Sequence, residues 1–217
     1  MFARSIVSRA VVTLGLVVGA VGGERSAHAD APSSAGSESR SAEPGAGKRS
    51  GIAVMLGLGQ WTLGGGNVAV QGNIGHFAFE YSHGQGVHLS TFDFLRNQSE
   101  RDAGADVHET LTTGLGVGVL LFDNLRILLE FKANHYELEG ENRNTRLGYT
   151  TFTIGPGVFY DVHLWKGLFI QPSLRWWPTV HSTLPSNATL SRADGTTVKI
   201  SSHDSGVFPN VNVGWEF

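Results

Sequence analysis

The last eleven residues of the chain alternate strictly enough to fix a conformation. Phe217, Trp215, Val213, Val211, Pro209 and Val207 share one parity, while Glu216, Gly214, Asn212 and Asn210 share the other, with Phe208 the bulky exception. Successive side chains of a strand point to opposite faces, so this is a strand with one apolar face and one wet face. It runs to the terminal aromatic residue, where a strand held by one neighbour would fray. A closed barrel removes both the free edge and the fraying. If such a barrel stands in a bilayer, the apolar parity faces lipid and the polar parity faces the lumen.

Counting backwards from this strand predicts an all-β, eight-stranded, antiparallel, up-and-down transmembrane barrel over residues 51–217. The expected strands cover 51–61, 67–82, 87–96, 108–122, 125–138, 149–165, 168–183 and 207–217. Tight turns are expected at His83-Gly-Gln-Gly86, Asp123-Asn124 and Lys166-Gly167, and longer polar loops at the other end, which puts both termini on the turn side. Three strands separate their parities clearly. Ile127, Leu129 and Phe131 alternate with Arg126, Glu130 and Lys132; Leu115, Val117 and Val119 with Gly114, Gly116 and Gly118; Phe152, Ile154 and Val158 with Thr151, Thr153 and Gly155. The second strand changes parity near Gly75, which suggests a bulge or kink. Pro156, Pro172 and Pro209 each remove a ladder donor and are expected where pairing lapses.

The first 29 residues read as a signal peptide. Arg4 and Arg9 precede an apolar run from Ala10 to Gly22, and Ala27-His28-Ala29 has the form of a cleavage site. Residues 30–50, rich in Ser, Ala and Gly, cannot bury a core and read as a disordered periplasmic leader. There is no cysteine, so disulfides, thiolate metal sites and cysteine nucleophiles are excluded. The net charge is −3, and removal of the expected signal peptide, with Arg4, Arg9 and Arg25 against Glu24, makes the rest more acidic, which gives nucleic-acid binding no electrostatic support.

The segments Gly155-Pro-Gly-Val-Phe-Tyr-Asp161, Gln171-Pro-Ser-Leu-Arg-Trp176 and Gly214-Trp-Glu-Phe217 resemble small eight-stranded bacterial outer-membrane barrels of the OmpA/OmpX-like kind. The ending likewise resembles the C-terminal assembly signal of such proteins, with Val211, Val213, Trp215 and Phe217 as its alternate positions. The resemblance implies a cell outer-membrane location with both termini periplasmic. It implies as partners outer-membrane lipid, lipopolysaccharide included, and the barrel-assembly machinery acting through the last strand. A monomer without cofactor or metal is expected.

The charged residues with lumen parity are Glu80, Arg126, Glu130, Lys132, Asp161 and Arg175. An eight-stranded barrel is wide enough for its own side chains and little else, so these are expected to pair as a plug. The alternative is a narrow, low-conductance pore. A second alternative is a lipid A- or phospholipid-modifying hydrolase, because a histidine beside a serine can activate it. His203 and Ser205 at the mouth of the longest loop are the candidates, with His88 and Ser90 the other such pair. Trp61, Trp165, Trp176, Trp177 and Tyr149 suit interfacial aromatic girdles. A soluble lipocalin-like barrel would carry the same alternation with its apolar parity inward.

Overall fold

The computed structural model describes residues 50–217 apart from Asp123, Asn142 and Ser205; the expected signal peptide and all but the last residue of the expected leader lie outside the described residues. Eight antiparallel walls close on themselves. The chain runs through β1 (Gly51–Gly57), the short helix α1 (Leu58–Thr62), β2 (Gly66–Ile74) and β3 (Phe77–His88). Two 3-10 turns follow, Leu89–Thr91 and Asp93–Leu95, then α2 (Gln98–Asp102), β4 (Asp106–Leu121) and β5 (Leu125–Glu139). The sixth wall is β6 (Arg146–Tyr160) continued as β7 (Val162–Trp165), and the seventh is β8 (Leu168–Trp177) continued as β9 (Thr179–Ser182). A small hairpin, β10 (Thr189–Ser191) with β11 (Thr197–Lys199), sits in the last loop. The final strand, β12 (Gly206–Glu216), pairs with β8 on one side and closes the ring against β1 on the other, from Ala53↔Glu216 to Gly57↔Asn212.

Two of the expected boundaries are corrected. The segment expected as one strand over 67–82 is the hairpin β2–β3, turning at Gly75-His76, where Gly75 takes the left-handed φ of +61° that the reversal needs. The parity change near Gly75 marks this turn rather than a bulge. The expected turn at His83–Gly86 lies inside β3, paired with β2 and β4, and the strand expected over 87–96 ends at His88. One strand divides and another disappears, so the count of eight stands. The short connections, at Gly75-His76, between β4 and β5, and at Lys166-Gly167, lie at the end where β1 begins and β12 finishes, since Gly167 accepts from Glu216 and Ile52 from Phe217.

The three strand prolines fall where the ladder lapses. Pro156 faces the break between β8 and β9, Pro172 the break between β6 and β7, and Pro209 lies beyond the last β1 partner of β12.

The walls are inside out relative to a water-soluble barrel. Gln71, Glu80, Ser82, Glu130, Lys132, Asn134, Thr151, Gln171, Arg175 and Asn212 are buried, whereas Ile52, Val70, Leu115, Val117, Leu129, Phe131, Val158 and Leu174 are exposed on the outer face. That excludes the lipocalin-like arrangement. On β4 the outward apolar run from Leu111 to Leu121 covers about 33 Å of strand, or roughly 25 Å along the axis at a typical tilt. On β5 and β6 the outward charges Glu137, Glu139 and Arg146 begin only above this belt. Among the described residues no helix is long and apolar enough to cross a membrane. Trp61, Trp165 and Trp176 are exposed near the belt edges, but Trp177 and Tyr149 are buried inside the barrel, so they belong to no girdle.

The barrel is uneven in height. β4, β5 and β6 have 15 or 16 residues each, whereas β1 has 7 and β2 has 9. At the loop end the tall wall therefore overhangs a low one.

Candidate functional site

Each inward charge is supplied by a strand whose outward neighbours are apolar, so alternation alone delivers the six charges to the lumen. At the turn side, Arg126 bonds the Asp161 carboxylate, whose other oxygen accepts from Gln171 Nε2 at 2.7 Å. Gln171 also donates to Gln71 Oε1 at 2.9 Å and accepts from Asn212 Nδ2 at 2.9 Å. Toward mid-barrel Arg175 lies 3.5 Å from Glu80 and 3.4 Å from Glu130, and Lys132 lies 3.5 Å from Glu130. Lys132 Nζ donates to Ser82 Oγ at 2.6 Å and Trp177 Nε1 to Glu130 Oε2 at 3.0 Å. The guanidinium of Arg175 stacks over Phe159 at 4.6 Å. All six expected lumen residues are thus buried and ion-paired, Arg126 with Asp161 at the turn side and Glu80, Glu130, Lys132 and Arg175 among themselves toward mid-barrel.

The glycine run of β4 makes room for this array. A Cβ on Gly114 would meet the Phe131 carbonyl and Lys132 Cγ, and one on Gly116 would meet Leu128 Cδ1 at 3.2 Å and Glu130 Cγ at 3.4 Å. The small positions let the large inward side chains of β5 lie across them.

Above the belt the interior changes character. Val87, Leu89, Ala103, Ala105, Val107, Tyr136, Leu138, Tyr149, Leu190 and Ile200 form an apolar core beneath the loops. The switch on β4 is a bulge at Thr110, between Glu109↔Tyr136 and Leu111↔His135. Without it Glu109 would share the outward parity of Leu111; with it the side chain turns inward. Burial pushes the Glu109 carboxyl up to about 7, against the opposing pull of His203, Lys132 and a hydrogen bond from Tyr136.

Two loops are tied together under this cap. Asn97 caps α2 by accepting from Glu100 N at 3.0 Å, and the Glu100 carboxylate accepts from Asn97 N at 2.7 Å, a reciprocal capping box. The same fully buried carboxylate meets His203 Nδ1 at 3.1 and 3.2 Å. His203 N donates to the Tyr149 hydroxyl at 2.9 Å, and Ser201 N to Ser99 Oγ at 2.9 Å. Burial, and then the nearby Glu100 charge, push the Tyr149 phenol up, so it stays protonated. His203 is therefore a buried histidine held by a carboxylate at Nδ1, while its expected partner Ser205 lies outside the described residues. Sequence reasoning missed Glu100, although Asn97-Gln-Ser-Glu100 carries a capping-box spacing that could have revealed it. Of the second pair, Ser90 Oγ accepts from Val107 N at 2.6 Å, a backbone tie.

Over the low wall, between the array and the cap, lies a cavity of about 440 Å³. Its floor includes Lys132, Arg175 and Glu109; its sides include Leu89 and Phe208; its mouth carries Phe92 and Phe94.

No protein-family model matches the chain, and no curated protein matches it. Among solved structures the chain is similar to a major outer membrane protein from Thermus thermophilus. The two are 10% identical with a TM-score of 0.43, and the alignment covers 78% of this chain and 100% of that one.

Proposed function

We propose that the protein is an integral outer-membrane barrel, of the OmpA/OmpX-like kind, whose lumen is plugged and whose loops form a folded cap on the outer side. The observation that carries this is the inversion of the wall. A belt of exposed Leu, Val, Ile and Phe surrounds a buried array of charges, which is stable only where lipid replaces water outside. Short turns beside both strand ends and long loops opposite support a periplasmic position for the termini. The exposed aromatic Phe217 and Trp215, on the strand that closes the ring, suit recognition by barrel-assembly machinery. The pairing of all six lumen charges supports a structural or surface-interaction role over a conducting pore.

Separation of cell envelopes is the test. The unboiled protein should be found in the outer-membrane fraction and migrate differently from the boiled form; recovery outside the membrane would sink the reading. In a planar bilayer the inserted barrel should give no single-channel steps, and stable openings would restore the pore.

A second reading has one specific observation in its favour: the Glu100 carboxylate on His203 Nδ1 is the arrangement that orients a histidine base. As a lipid A- or phospholipid-modifying hydrolase the chain would use His203 with Ser205. Mass spectra of envelope lipids with the intact chain and with His203→Ala decide it, identical spectra ending this reading.

A further inference from the structure

The cavity over the low wall lies between the charge plug and the apolar cap and draws its lining from both, so its chemistry is graded. Phe94 is 73% and Val207 63% exposed; both line the cavity, and Val207 is the upper end of the outward apolar run that Val211 and Trp215 continue down β12. Further in, Leu63, Val87, Leu89 and Phe208 line the sides, with Phe208 stacked on Trp177 at 5.7 Å. The floor ends at Lys132 and Arg175. An apolar passage that begins at the lipid belt and ends at cations fits an amphiphile of opposite sign.

The cations have capacity to spare. The contacts of Arg175 with Glu80 and Glu130, at 3.5 and 3.4 Å, and of Lys132 with Glu130, at 3.5 Å, all exceed the 2.7–2.9 Å typical of a strong charged hydrogen bond. Arg175 is 4% exposed, yet its Nε has no hydrogen-bond partner among the described residues. A volume of about 440 Å³ lies within the range of small-molecule sites. The floor also contains Glu109 and lies beside Glu130, so a single carboxylate meets less repulsion there than a dianionic head.

We propose that this cavity binds one single-chain fatty carboxylate, its head at Arg175 and Lys132 and its chain leaving past Leu89 and Phe208 toward Phe92, Phe94 and the bilayer. The proposal rests on the reading of the apolar belt as lipid-facing. It adds a ligand to a barrel otherwise argued to be structural.

The test uses the full chain extracted from membranes in non-ionic detergent, with native mass spectrometry against palmitate, methyl palmitate and a lysophospholipid. One palmitate should bind per chain, and the uncharged ester at least about tenfold more weakly. Leu89→Trp, which fills the cavity, should reduce palmitate binding by about tenfold or more. Phe94→Asp changes an exposed side chain, leaves the fold intact and should weaken binding by roughly fivefold. Heat-modifiable migration of the same samples reports the barrel. A folded, membrane-inserted barrel with no palmitate adduct overturns the site alone. So does equal binding of palmitate and its ester with both variants unaffected, or a preference for the lysophospholipid. A chain absent from the membrane fraction overturns both the site and the reading beneath it.

Discussion

The lower and upper parts of the same strand obey opposite rules. On β5, Arg126, Glu130, Lys132 and Asn134 point inward, with Leu128 among them packed against Leu120 and Phe159, while Ile127, Leu129 and Phe131 point outward. Two residues further on, with parity unbroken, Tyr136 and Leu138 point inward while Glu137 faces out. What changes is the medium outside. Where it is lipid, polar groups must find one another in the lumen; where it is water, apolar groups retreat beneath the loops. The boundary falls between Asn134 and Tyr136 on β5 and at the Thr110 bulge on β4.

The largest break in this comparison should come from the charges of the lower part. Arg175→Leu leaves Glu80 and Glu130 buried without their guanidinium and should cost about 3–5 kcal/mol. Guanidinium unfolding in lipid vesicles, followed by tryptophan fluorescence, measures it. Adding Glu130→Leu should recover part of the loss, because the pair is then removed together. A single variant within about 1 kcal/mol of the parent would mean the array does not hold the barrel.

The position of the boundary is the next quantity to sharpen. Leu129→Arg, at the middle of the belt, should cost about 2–4 kcal/mol in vesicles. Glu137→Arg, outward on the same strand but above the belt, should stay within about 0.5 kcal/mol. Equal penalties at the two sites would move the lipid boundary above Glu137.

A smaller and more local effect is expected at the tie between the loops. Glu100→Gln weakens the contact with His203 and should cost about 1–3 kcal/mol within the cap only. Hydrogen exchange should quicken over α2 and residues 183–204, with the amides of the belt unchanged. A uniform change along the barrel would show that cap and wall unfold as one unit.

The difference between the two parts also governs what could be read from the sequence. β4, β5, β6 and β12 were legible because lipid on one side and polar filling on the other force a long, clean alternation. β2 and β3 are hard to separate by pattern because Gly75-His76 leaves only two residues for a reversal, while His83-Gly-Gln-Gly86 has turn composition yet pairs on both sides. Phe92 and Phe94 put apolar side chains on the parity opposite to Val87 and Leu89 because they belong to no strand; they line a cavity instead. The six lumen charges followed from parity, but Glu109 did not, because a one-residue bulge reverses its direction. The meeting of Glu100 with His203 joins positions more than a hundred residues apart and depends on how two loops fold over the barrel. No local pattern carries that.

Glu109 stands at the boundary itself, and its titration is the finest probe of it. Its carboxyl is raised from the ordinary 4.5 to about 7, chiefly by burial, so the folded state holds the proton more tightly than the unfolded chain. The stabilisation from that proton is complete below about pH 4.5 and is lost as pH rises through about 7. Glu109 is half-buried and opens on the cavity, which softens the penalty and leaves an effect on the order of 1–2 kcal/mol. Exchange-measured stability of the cap should therefore fall between pH 5 and pH 8, and Glu109→Gln, neutral throughout, should flatten that slope. Because Lys132 and His203 oppose the shift, Lys132→Met should raise the midpoint and steepen the loss near neutral pH. A cap whose stability is flat from pH 5 to pH 8 in the parent chain would place Glu109 in contact with bulk water, and the boundary would then lie below the bulge instead of at it.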